Sequence, residues 1–331
     1  MLADGKVYEQ SLNLIIKAAN YYYIESMSQS EIAKKLDISM STVSRLLKKA
    51  REMGVVRFDI HDTFMDCLKM EKLLCRHFNL KEVIIAPNRN LIADVNQIKK
   101  DVALEGARYI QRVLCENDVL GIAWGRTMYY LIQYLNPSQK INIDFVTLNG
   151  NLSCIDKALD ANYLVHRMAM AFGGTKHSLY CDGLQPSKEI ANKVKSDEHI
   201  KSVFKWFDRV TISVSGIGSL YPDLDSPLGK DNYLNNNEIN AIRRLNVYGD
   251  LILRFFDGLG QECKSDLVDR TIAIDMDIYK RIPTKIIVAS GSWKADTVLA
   301  GLKGDLINVL ILDEYLAKAI CEKAQLKLSV I

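Results

Sequence analysis

Short apolar runs alternate with helix-like stretches from residue 82 to residue 325, and no other feature of the chain constrains its fold as strongly. Short, continuous apolar runs are typical of buried strands, whereas apolar residues three and four positions apart indicate an amphipathic helix. Strands that alternate with helices along a chain form a mainly parallel sheet covered by helices on both faces. We therefore expect a doubly wound, mainly parallel α/β domain in this part of the chain.

The expected elements follow from these patterns. Strands are expected over residues 82–86, 119–123, 145–148, 210–214, 251–255, 286–289 and 309–312. Helices are expected near residues 94–115, 126–135, 160–172, 187–195, 236–244, 292–302 and 313–325. Three parts of the chain are expected: an N-terminal domain over 1–60, a connecting helix over 61–80, and the α/β domain over 81–331.

Composition excludes several classes of protein. A chain of 331 residues with 48% hydrophobic and 25% charged residues is typical of a globular protein with two domains. No apolar run approaches the ~20 residues of a membrane span, and the first residues lack a signal-peptide pattern. The seven cysteines show no paired spacing and the five histidines no metal-ligand spacing. We expect a cytoplasmic protein without membrane contact, metal or cofactor.

The first sixty residues contain two helix-start signals close together. Residues 7–26 have the periodicity of an amphipathic helix. Ser28, with Glu31 three residues later, forms a capping-box pattern at the start of a short second helix. After a turn at 37–39, a third helix is expected over 40–52. Two short helices joined by such a turn are typical of a helix-turn-helix, and strand-like residues at 55–60 predict that the module is winged.

The two short helices are strongly basic. Residues 34–51 contain six lysines and arginines against one acidic residue, Asp37, although the whole chain has a net charge of only +3. A local excess of positive charge is the electrostatic signature of DNA binding; the alternative is a packing element with a solvated charged face. We expect contacts with double-stranded operator DNA from Gln29, Ser39, Ser41, Thr42, Ser44, Arg45, Lys48 and Lys49.

Small, glycine-containing turns follow several expected strands of the α/β domain. Ligands of such folds bind beyond the carboxyl ends of the strands, and the free N–H groups at a helix start attract anions. Cations, carboxylates and hydroxyls in one crevice suit a phosphate with several hydroxyl groups, as in a sugar phosphate. The residues expected to bind such an effector are Gly125, Arg126, Thr127, Asn149, Gly150, Ser215, Gly216, Gly218, Asp250, Phe255 and Lys294.

Other interpretations remain open from these residues alone. Each glycine turn could be a simple strand-to-helix connection, Lys294 a surface lysine, and Asp250 a turn cap. An isomerase or deaminase acting on a sugar phosphate would need a base, for which Asp250 and Asp257 are candidates. No histidine lies in these loops, which disfavours an enzyme. A DNA-binding architectural protein without an effector is disfavoured by the size of the α/β domain.

The chain resembles the SorC family of bacterial sugar-responsive regulators over essentially its full length. The resemblance rests on SQSEIAKKLDISMSTVSRLLKKAREMGVV, GIAWGRTMYYL, ALDANYLVHRMA, VYGDLILRFFDGLG and ASGSWKADTVLAGLKGDLINVLILDEYLAKAI. It implies a helix-turn-helix joined to an effector domain similar to sugar-phosphate isomerases and glucosamine-phosphate deaminases, without their activity. It also implies a homodimer or homotetramer that responds to phosphorylated sugars or polyols.

The resemblance also implies roles for individual residues. Residues 125–127 match the family's phosphate loop, Asp160 a contact to a sugar hydroxyl, Asp250 an acidic ligand and Lys294 a basic ligand. Some relatives have a lysine at the position of Arg126, and that lysine can form an imine with an aldehyde effector. Because arginine cannot do so, we expect noncovalent binding unless Lys294 takes that role.

Overall fold

The chain divides into two compact units, Met1–Asp62 and Thr63–Ile331. The structure, a computed structural model, describes residues 12–58, 62–88, 94–152, 156–230 and 233–327. Each unit has its own hydrophobic core. Ile15, Ile32 and Leu46 are buried together in the first unit, whereas the cores of the second unit lie on its sheets.

The first unit is a bundle of three helices. Helix α1 (Leu12–Ala19) continues into a single π-helical turn (Asn20–Ile24), and helices α2 (Gln29–Leu36) and α3 (Met40–Glu52) follow. Their buried stripes meet because apolar residues recur at helical spacing on α1, α2 and α3. The predicted second and third helices are therefore confirmed.

Helix caps set the turn between α2 and α3. The Ser28 hydroxyl accepts a hydrogen bond from the Glu31 N–H, and the Glu31 carboxylate accepts one from the Ser28 N–H at 2.8 Å, which confirms the capping box. Asp37 ends α2 in the left-handed conformation, with φ of 53°. The Ser39 hydroxyl then accepts a hydrogen bond from the Thr42 N–H and starts α3.

Two expectations for the first unit need correction or lie outside the described residues. Residues 55–58 form bends and irregular backbone instead of the expected strand, and residues 59–60 lie outside the described part of the chain. The structure therefore gives the helix-turn-helix no wing within residues 55–58. The helix expected over 7–26 is described from Leu12, and its last turn is the π-helical turn that ends at Ile24.

The second unit contains two sheets. The ten strands of its described residues are β1 (Glu82–Ala86), β2 (Val119–Ile122), β3 (Asp144–Thr147), β4 (Thr175–His177), β5 (Ile212–Ser215), β6 (Gly218–Ser219), β7 (Gly249–Leu251), β8 (Arg254–Phe256), β9 (Thr284–Ala289) and β10 (Val309–Asp313). Seven of them form one parallel sheet in the order β1-β10-β9-β5-β2-β3-β4. The other three form a small antiparallel sheet in the order β6-β7-β8. The predicted mainly parallel α/β fold is confirmed.

Helices cover both faces of the seven-stranded sheet. The helices of this unit's described residues are α4 (Asp62–Phe78), α5 (Val95–Val113), α6 (Arg126–Gln133), α7 (Ala161–Phe172), α8 (Lys188–Ser196), α9 (Glu198–Phe207), α10 (Pro227–Lys230), α11 (Asn236–Arg244), α12 (Asp266–Arg270), α13 (Met276–Arg281), α14 (Ala295–Lys303) and α15 (Glu314–Lys323). Of these, α10, α11 and α12 contribute to the apolar cluster of the small sheet. One apolar cluster includes Leu74 and Leu312, and another includes Ile110 and Phe145. Strands buried on both faces are what makes a continuous apolar run diagnostic of a parallel sheet.

The strand expected over 251–255 is instead a tight hairpin. Strands β7 and β8 pair antiparallel, and the two residues between them, Ile252 and Leu253, both have positive φ, at 55° and 62°. Two consecutive positive φ angles reverse the chain in a two-residue turn. Asparagine and glycine usually mark such a turn. Because Ile252 and Leu253 are apolar, the sequence pattern predicted a continuous strand here.

The strand order reverses between β2 and β5. The chain runs outward from β2 to β3 and β4, and then returns to the other side of β2 to form β5. In parallel α/β sheets, such a switch point leaves a crevice beyond the carboxyl ends of the two strands.

Candidate functional site

Helix α3 presents a polar face to solvent opposite its buried stripe. Its first turn carries hydroxyls, because the Ser39 Oγ lies 2.8 Å from both the Ser41 Oγ and the Thr42 Oγ1. Cations follow along the helix, with Arg45 and Lys48 exposed and Arg45 Nη2 3.4 Å from the Thr42 Oγ1. Of the eight residues expected to contact DNA, Ser39, Ser41, Ser44, Arg45 and Lys48 are exposed, and Gln29, Thr42 and Lys49 are half-buried.

A cavity of about 470 Å³ lies at the switch point of the parallel sheet. The turns that follow β2, β5 and β9 all contribute to its lining, as does the start of α6. Gly125 precedes α6 with φ of 128°, a conformation that favours glycine, and leaves the first N–H groups of the helix beside the cavity. The location is the one that the topology of an open parallel sheet assigns to a ligand.

Three cations line this cavity: Lys99 from α5, Arg126 from α6 and Lys294 from the turn after β9. Burial, and then the charge of Arg126, lower the pKa of Lys99. Burial, and then the charge of Lys99, lower the pKa of Lys294 to about 8. The Lys294 Nζ donates a hydrogen bond to the Ile217 carbonyl oxygen at 2.7 Å. Like charges held together and removed from water make this part of the cavity suited to an anion.

A buried carboxylate lies in the same cavity. The Ser226 hydroxyl donates a hydrogen bond to the Asp250 Oδ1 at 2.6 Å, and burial raises the pKa of Asp250 to about 6 against the opposing effects of Ser226 and Lys294. Gly218 lies opposite Asp250 in the small sheet, and a Cβ at Gly218 would lie 1.9 Å from the Asp250 Oδ1. Because Gly218 has no side chain, the Asp250 carboxylate can occupy the space beside it.

Trp293 and Asp225 connect two segments of the cavity wall. The Trp293 Nε1 donates a hydrogen bond to the Asp225 Oδ2 at 2.6 Å. The indole also packs on Gly291, whose φ is 102° and where a Cβ would lie 2.4 Å from the ring. These two contacts hold the indole in one orientation at the edge of the cavity.

The structure brings most of the expected effector residues together. The cavity lining includes Gly125, Arg126, Thr127, Ser215, Gly216, Gly218, Asp250 and Lys294. Asn149, Gly150, Asp160 and Phe255 do not belong to the lining of this cavity.

Those four residues have packing contacts instead. Asp160 caps α7 by accepting a hydrogen bond from the Asn162 N–H at 2.9 Å, and Phe255 is buried in the core beneath the small sheet. Asn149 is fully buried, and a Cβ at Gly150 would lie 2.6 Å from the Cys181 carbonyl oxygen. The structure gives each of them a local structural role, and the cavity does not depend on their side chains for its lining.

Sequence reasoning missed Lys99, Asp225 and Ser226, which all line the cavity. Lys99 lies in the second turn of α5, where a lysine usually indicates a solvated face. Asp225 and Ser226 precede the four-residue helix α10 and carry no glycine turn that would mark them. A polar Asp-Ser-Pro turn after β6 was the signal available, and it is a weak one.

Within the described residues, no group of three or more histidine, cysteine, aspartate or glutamate side chains could hold a metal ion. Among those residues, no helix combines the length and the apolar character that a membrane crossing requires.

Comparison with known proteins identifies both units. The Sugar-bind family model, which describes a sugar-binding domain, matches residues 62–322, and the model of Sigma-70 region 4 matches residues 20–52. The deoxyribonucleoside regulator of Bacillus subtilis is 30% identical over 93% of this chain and 96% of its own length. The sorbitol operon regulator of Klebsiella pneumoniae is 28% identical over 93% of this chain and 97% of its own length.

Solved structures agree with these matches. The crystal structure of the full-length sorbitol operon regulator SorC from Klebsiella pneumoniae has a TM-score of 0.72 and 27% identity, and covers 95% of this chain and 99% of that one. These relatives are named as regulators and not as enzymes, which argues against the interpretation of the chain as a sugar-phosphate isomerase or deaminase. With a DNA-binding helix-turn-helix and a sugar-binding domain that matches more than half of its length, the chain belongs to the SorC family of bacterial transcriptional regulators.

Proposed function

We propose that this protein controls a sugar-utilisation operon, and that a phosphorylated sugar or polyol bound in the cavity controls its affinity for operator DNA. The observation that supports the proposal best is the gathering of Lys99, Arg126 and Lys294 in one concave site. After burial, the charge of Arg126 lowers the pKa of Lys99 and the charge of Lys99 lowers the pKa of Lys294, and a phosphate dianion would offset this repulsion between like charges.

In this proposal, Arg126 and the free N–H groups at the start of α6 bind the phosphate, because a helix N-terminus and a guanidinium both favour an anion. Asp250 accepts hydrogen bonds from hydroxyl groups of the effector, and Lys294 binds either its phosphate or a hydroxyl oxygen. Because Arg126 cannot form an imine, binding through this loop is noncovalent. The names of the relatives, a sorbitol operon regulator and a deoxyribonucleoside regulator, agree with an effector of sugar or polyol type.

The second binding partner in this proposal is double-stranded operator DNA. The exposed hydroxyls and cations of α3 suit entry into a major groove, with phosphate contacts from Lys48 and Lys49. We assign DNA binding to residues 1–60, a connecting helix to 61–80, and effector binding and self-association to 81–331. A homodimer or homotetramer carries two such modules to successive major grooves, and effector binding shifts their arrangement by a coupling free energy of ~1–3 kcal/mol.

The test is a thermal-shift screen of phosphorylated sugars and polyols, each paired with its unphosphorylated parent. A phosphate ester present at about a hundred times its dissociation constant stabilises the folded protein by about 2.7 kcal/mol. We expect such a shift with one or more esters and a much smaller one with their parents. Equal shifts with an ester and its parent would contradict the role of the phosphate.

Arg126→Ala ties that result to the cavity, and Arg167→Ala is its matched control. Arg167 is a half-buried arginine on α7, where it donates a hydrogen bond to the Tyr163 hydroxyl and lies outside the cavity lining. Removal of a charge-assisted hydrogen bond costs about 1.5–3 kcal/mol, so Arg126→Ala should weaken ester binding at least tenfold. Arg167→Ala should leave it unchanged. Equal affinities of the two variants would refute the phosphate site at Arg126.

A further inference from the structure

A second cavity adjoins the proposed effector cavity. Its volume is about 330 Å³, at the low end of the range for small-molecule sites. Val95, Ser290 and Trp293 line both cavities, so the two share a wall and meet at the Trp293 indole. The second cavity therefore lies within reach of a ligand whose charged end is held by the cations of the first.

The lining of the second cavity differs from that of the first. Apolar and aromatic side chains from three segments face it, namely Val95 and Ile98 of α5, Trp293, and Tyr315 of α15. Val95, Trp293 and Tyr315 are 49%, 43% and 38% exposed, which is unusual for large apolar side chains that share one concavity. Exposed apolar surface concentrated in a concave site indicates a binding site for an apolar group.

The Asp313 carboxylate, which lines the second cavity, already accepts hydrogen bonds from backbone N–H groups. The Asp313 Oδ2 accepts a hydrogen bond from the Gly291 N–H at 2.7 Å, and the Asp313 Oδ1 accepts from the Tyr315 and Leu316 N–H groups at 2.9 and 3.1 Å. Asp313 thus fixes the turn after β9 and the start of α15. Its role is to support the walls of the cavity, whose other side chains are apolar or aromatic apart from Ser290 and Ser292.

The two aromatic side chains are held in place before any ligand arrives. The Trp293 indole is fixed by its hydrogen bond to Asp225 and by its packing on Gly291. The Tyr315 hydroxyl accepts a hydrogen bond from the Asn88 side-chain amide. Rings that are already ordered lose little entropy when a flat group packs against them, and aromatic pairs gain additional energy from offset or edge-to-face contact.

We infer that the two cavities form one bipartite site, and that the effector is a phosphorylated glycoside with a flat, apolar aglycone that lies in the second cavity against Trp293 and Tyr315. The inference rests on the proposed function, because the cations of the first cavity hold the phosphate. A ligand with one charged and one apolar end matches a site whose three cations all line the first cavity and whose second cavity is lined mainly by apolar and aromatic side chains, with the Asp313 carboxylate already paired to backbone N–H groups.

The experiment measures dissociation constants by calorimetry for pairs of sugar phosphates. Each pair consists of a hexose 6-phosphate and its phenyl β-glycoside 6-phosphate, with glucose, galactose and mannose as the sugars. We expect the phenyl glycoside of at least one pair to bind at least tenfold more tightly than its parent, a difference of about 1.4 kcal/mol.

Two variants that fill the second cavity locate the effect. Ile98 and Ser292 line the second cavity but not the first, and Ser292 is exposed on a 3₁₀ turn where a larger side chain is tolerated. Ile98→Phe and Ser292→Phe should each abolish the gain from the phenyl group and leave the affinity for the parent phosphate unchanged. The parent phosphate also reports whether each variant is folded.

The outcomes separate the two proposals. Parent phosphates that bind while no phenyl group adds affinity would overturn this inference and leave the proposed function standing. A phenyl gain that survives both filling variants would place the aglycone outside the second cavity and overturn the bipartite site. Failure of every pair to bind would overturn this inference, whereas the proposed function fails only if the thermal-shift screen finds no phosphorylated sugar or polyol that binds.

Discussion

The two units of this regulator carry their positive charge in opposite ways. In the helix-turn-helix, Arg45 and Lys48 come from a continuous stretch of chain and point into water. In the sugar-binding unit, Lys99 and Lys294 come from segments almost two hundred residues apart and converge in a cavity. The first arrangement suits a long polyanion, which meets many exposed cations at once and whose binding weakens steeply with salt. The second suits one small anion of defined shape, because charges removed from water interact strongly with the single ligand that fits between them.

The difference has a consequence for the unbound protein. Exposed cations on α3 keep their hydration until DNA arrives. In the cavity, burial shifts both Asp250 and Lys294 towards their neutral forms, to pKa values of about 6 and about 8. Both groups therefore lose solvation in the folded sugar-binding unit, and a ligand that hydrogen-bonds to their charged forms would offset part of that loss.

The largest expected effect comes from substitutions in the hydrophobic cores, which should destabilise one unit at a time. Leu46 is fully buried in the core of the first unit, and Leu120 is fully buried in β2 of the second. Truncation of such a side chain to alanine costs about 2–5 kcal/mol of folding free energy. Leu46→Ala should abolish operator binding while effector binding persists, and Leu120→Ala should lower the stability of the sugar-binding unit. Calorimetry of each variant, with titrations of both ligands, measures these effects.

A matched loss of effector affinity in Leu46→Ala would contradict this separation. It would mean that the second unit depends on the first for its fold, even though their apolar clusters are distinct. In that case, the contrast between the two charge arrangements could not be studied by mutation of one unit at a time.

The same contrast explains what the sequence could and could not predict. Every signal of the helix-turn-helix is local: Ser28 and Glu31 are three residues apart, and the cap at Ser39 follows directly on the turn. Local signals of this kind were sufficient to predict α2 and α3. The expected strand at 55–60 was wrong over 55–58, because β-branched residues alone do not make a strand where no partner strand pairs with them within the described residues.

In the sugar-binding unit, the strand-to-helix turns could be predicted because glycine marks them, as at Gly125 and Gly291. The convergence of Lys99 and Asp225 on those turns could not, because it depends on strand order and on loops whose path no local pattern sets. Asp160 is a different case. The family resemblance implies that it contacts a sugar hydroxyl, whereas in the structure its side chain caps α7 and lies outside the cavity lining, so its role as a ligand stays a prediction.

A second, smaller effect sharpens the assignment of the exposed charges. Arg45→Ala should weaken operator binding by about 1–3 kcal/mol, the usual cost of a lost side-chain contact to DNA. Lys48→Ala should weaken binding to operator and unrelated DNA alike, and should lower the salt dependence of binding by about one unit of slope. Both variants should bind the effector with unchanged affinity, as measured by calorimetry. An unchanged DNA affinity of Arg45→Ala would contradict the assignment of α3 as the recognition helix.

The smallest effect is a change of effector affinity with pH, and it tests the buried charges directly. A carboxylate that accepts hydrogen bonds must be ionised, so affinity should fall below pH 6 as Asp250 takes up a proton. An ammonium that binds an anion must be protonated, so affinity should fall above pH 8 as Lys294 loses its proton, and Lys99 adds to that decline because its pKa is also lowered. Each limb has a limiting slope of about tenfold per pH unit for one group, or about 1.4 kcal/mol.

Two variants show which group causes the fall of affinity at acid pH and which causes the fall at alkaline pH. The effector phosphate itself titrates near pH 6, so the acid limb has two sources. Asp250→Asn should leave only the contribution of the phosphate and make the acid limb shallower, whereas Lys294→Met should lower the affinity at neutral pH and flatten the alkaline limb. A wild-type profile that is flat from pH 5 to pH 9 would mean that neither group touches the ligand. The three cations would then be a structural feature of the cavity, and the contrast between exposed charges for DNA and buried charges for a small anion would fail at its second half.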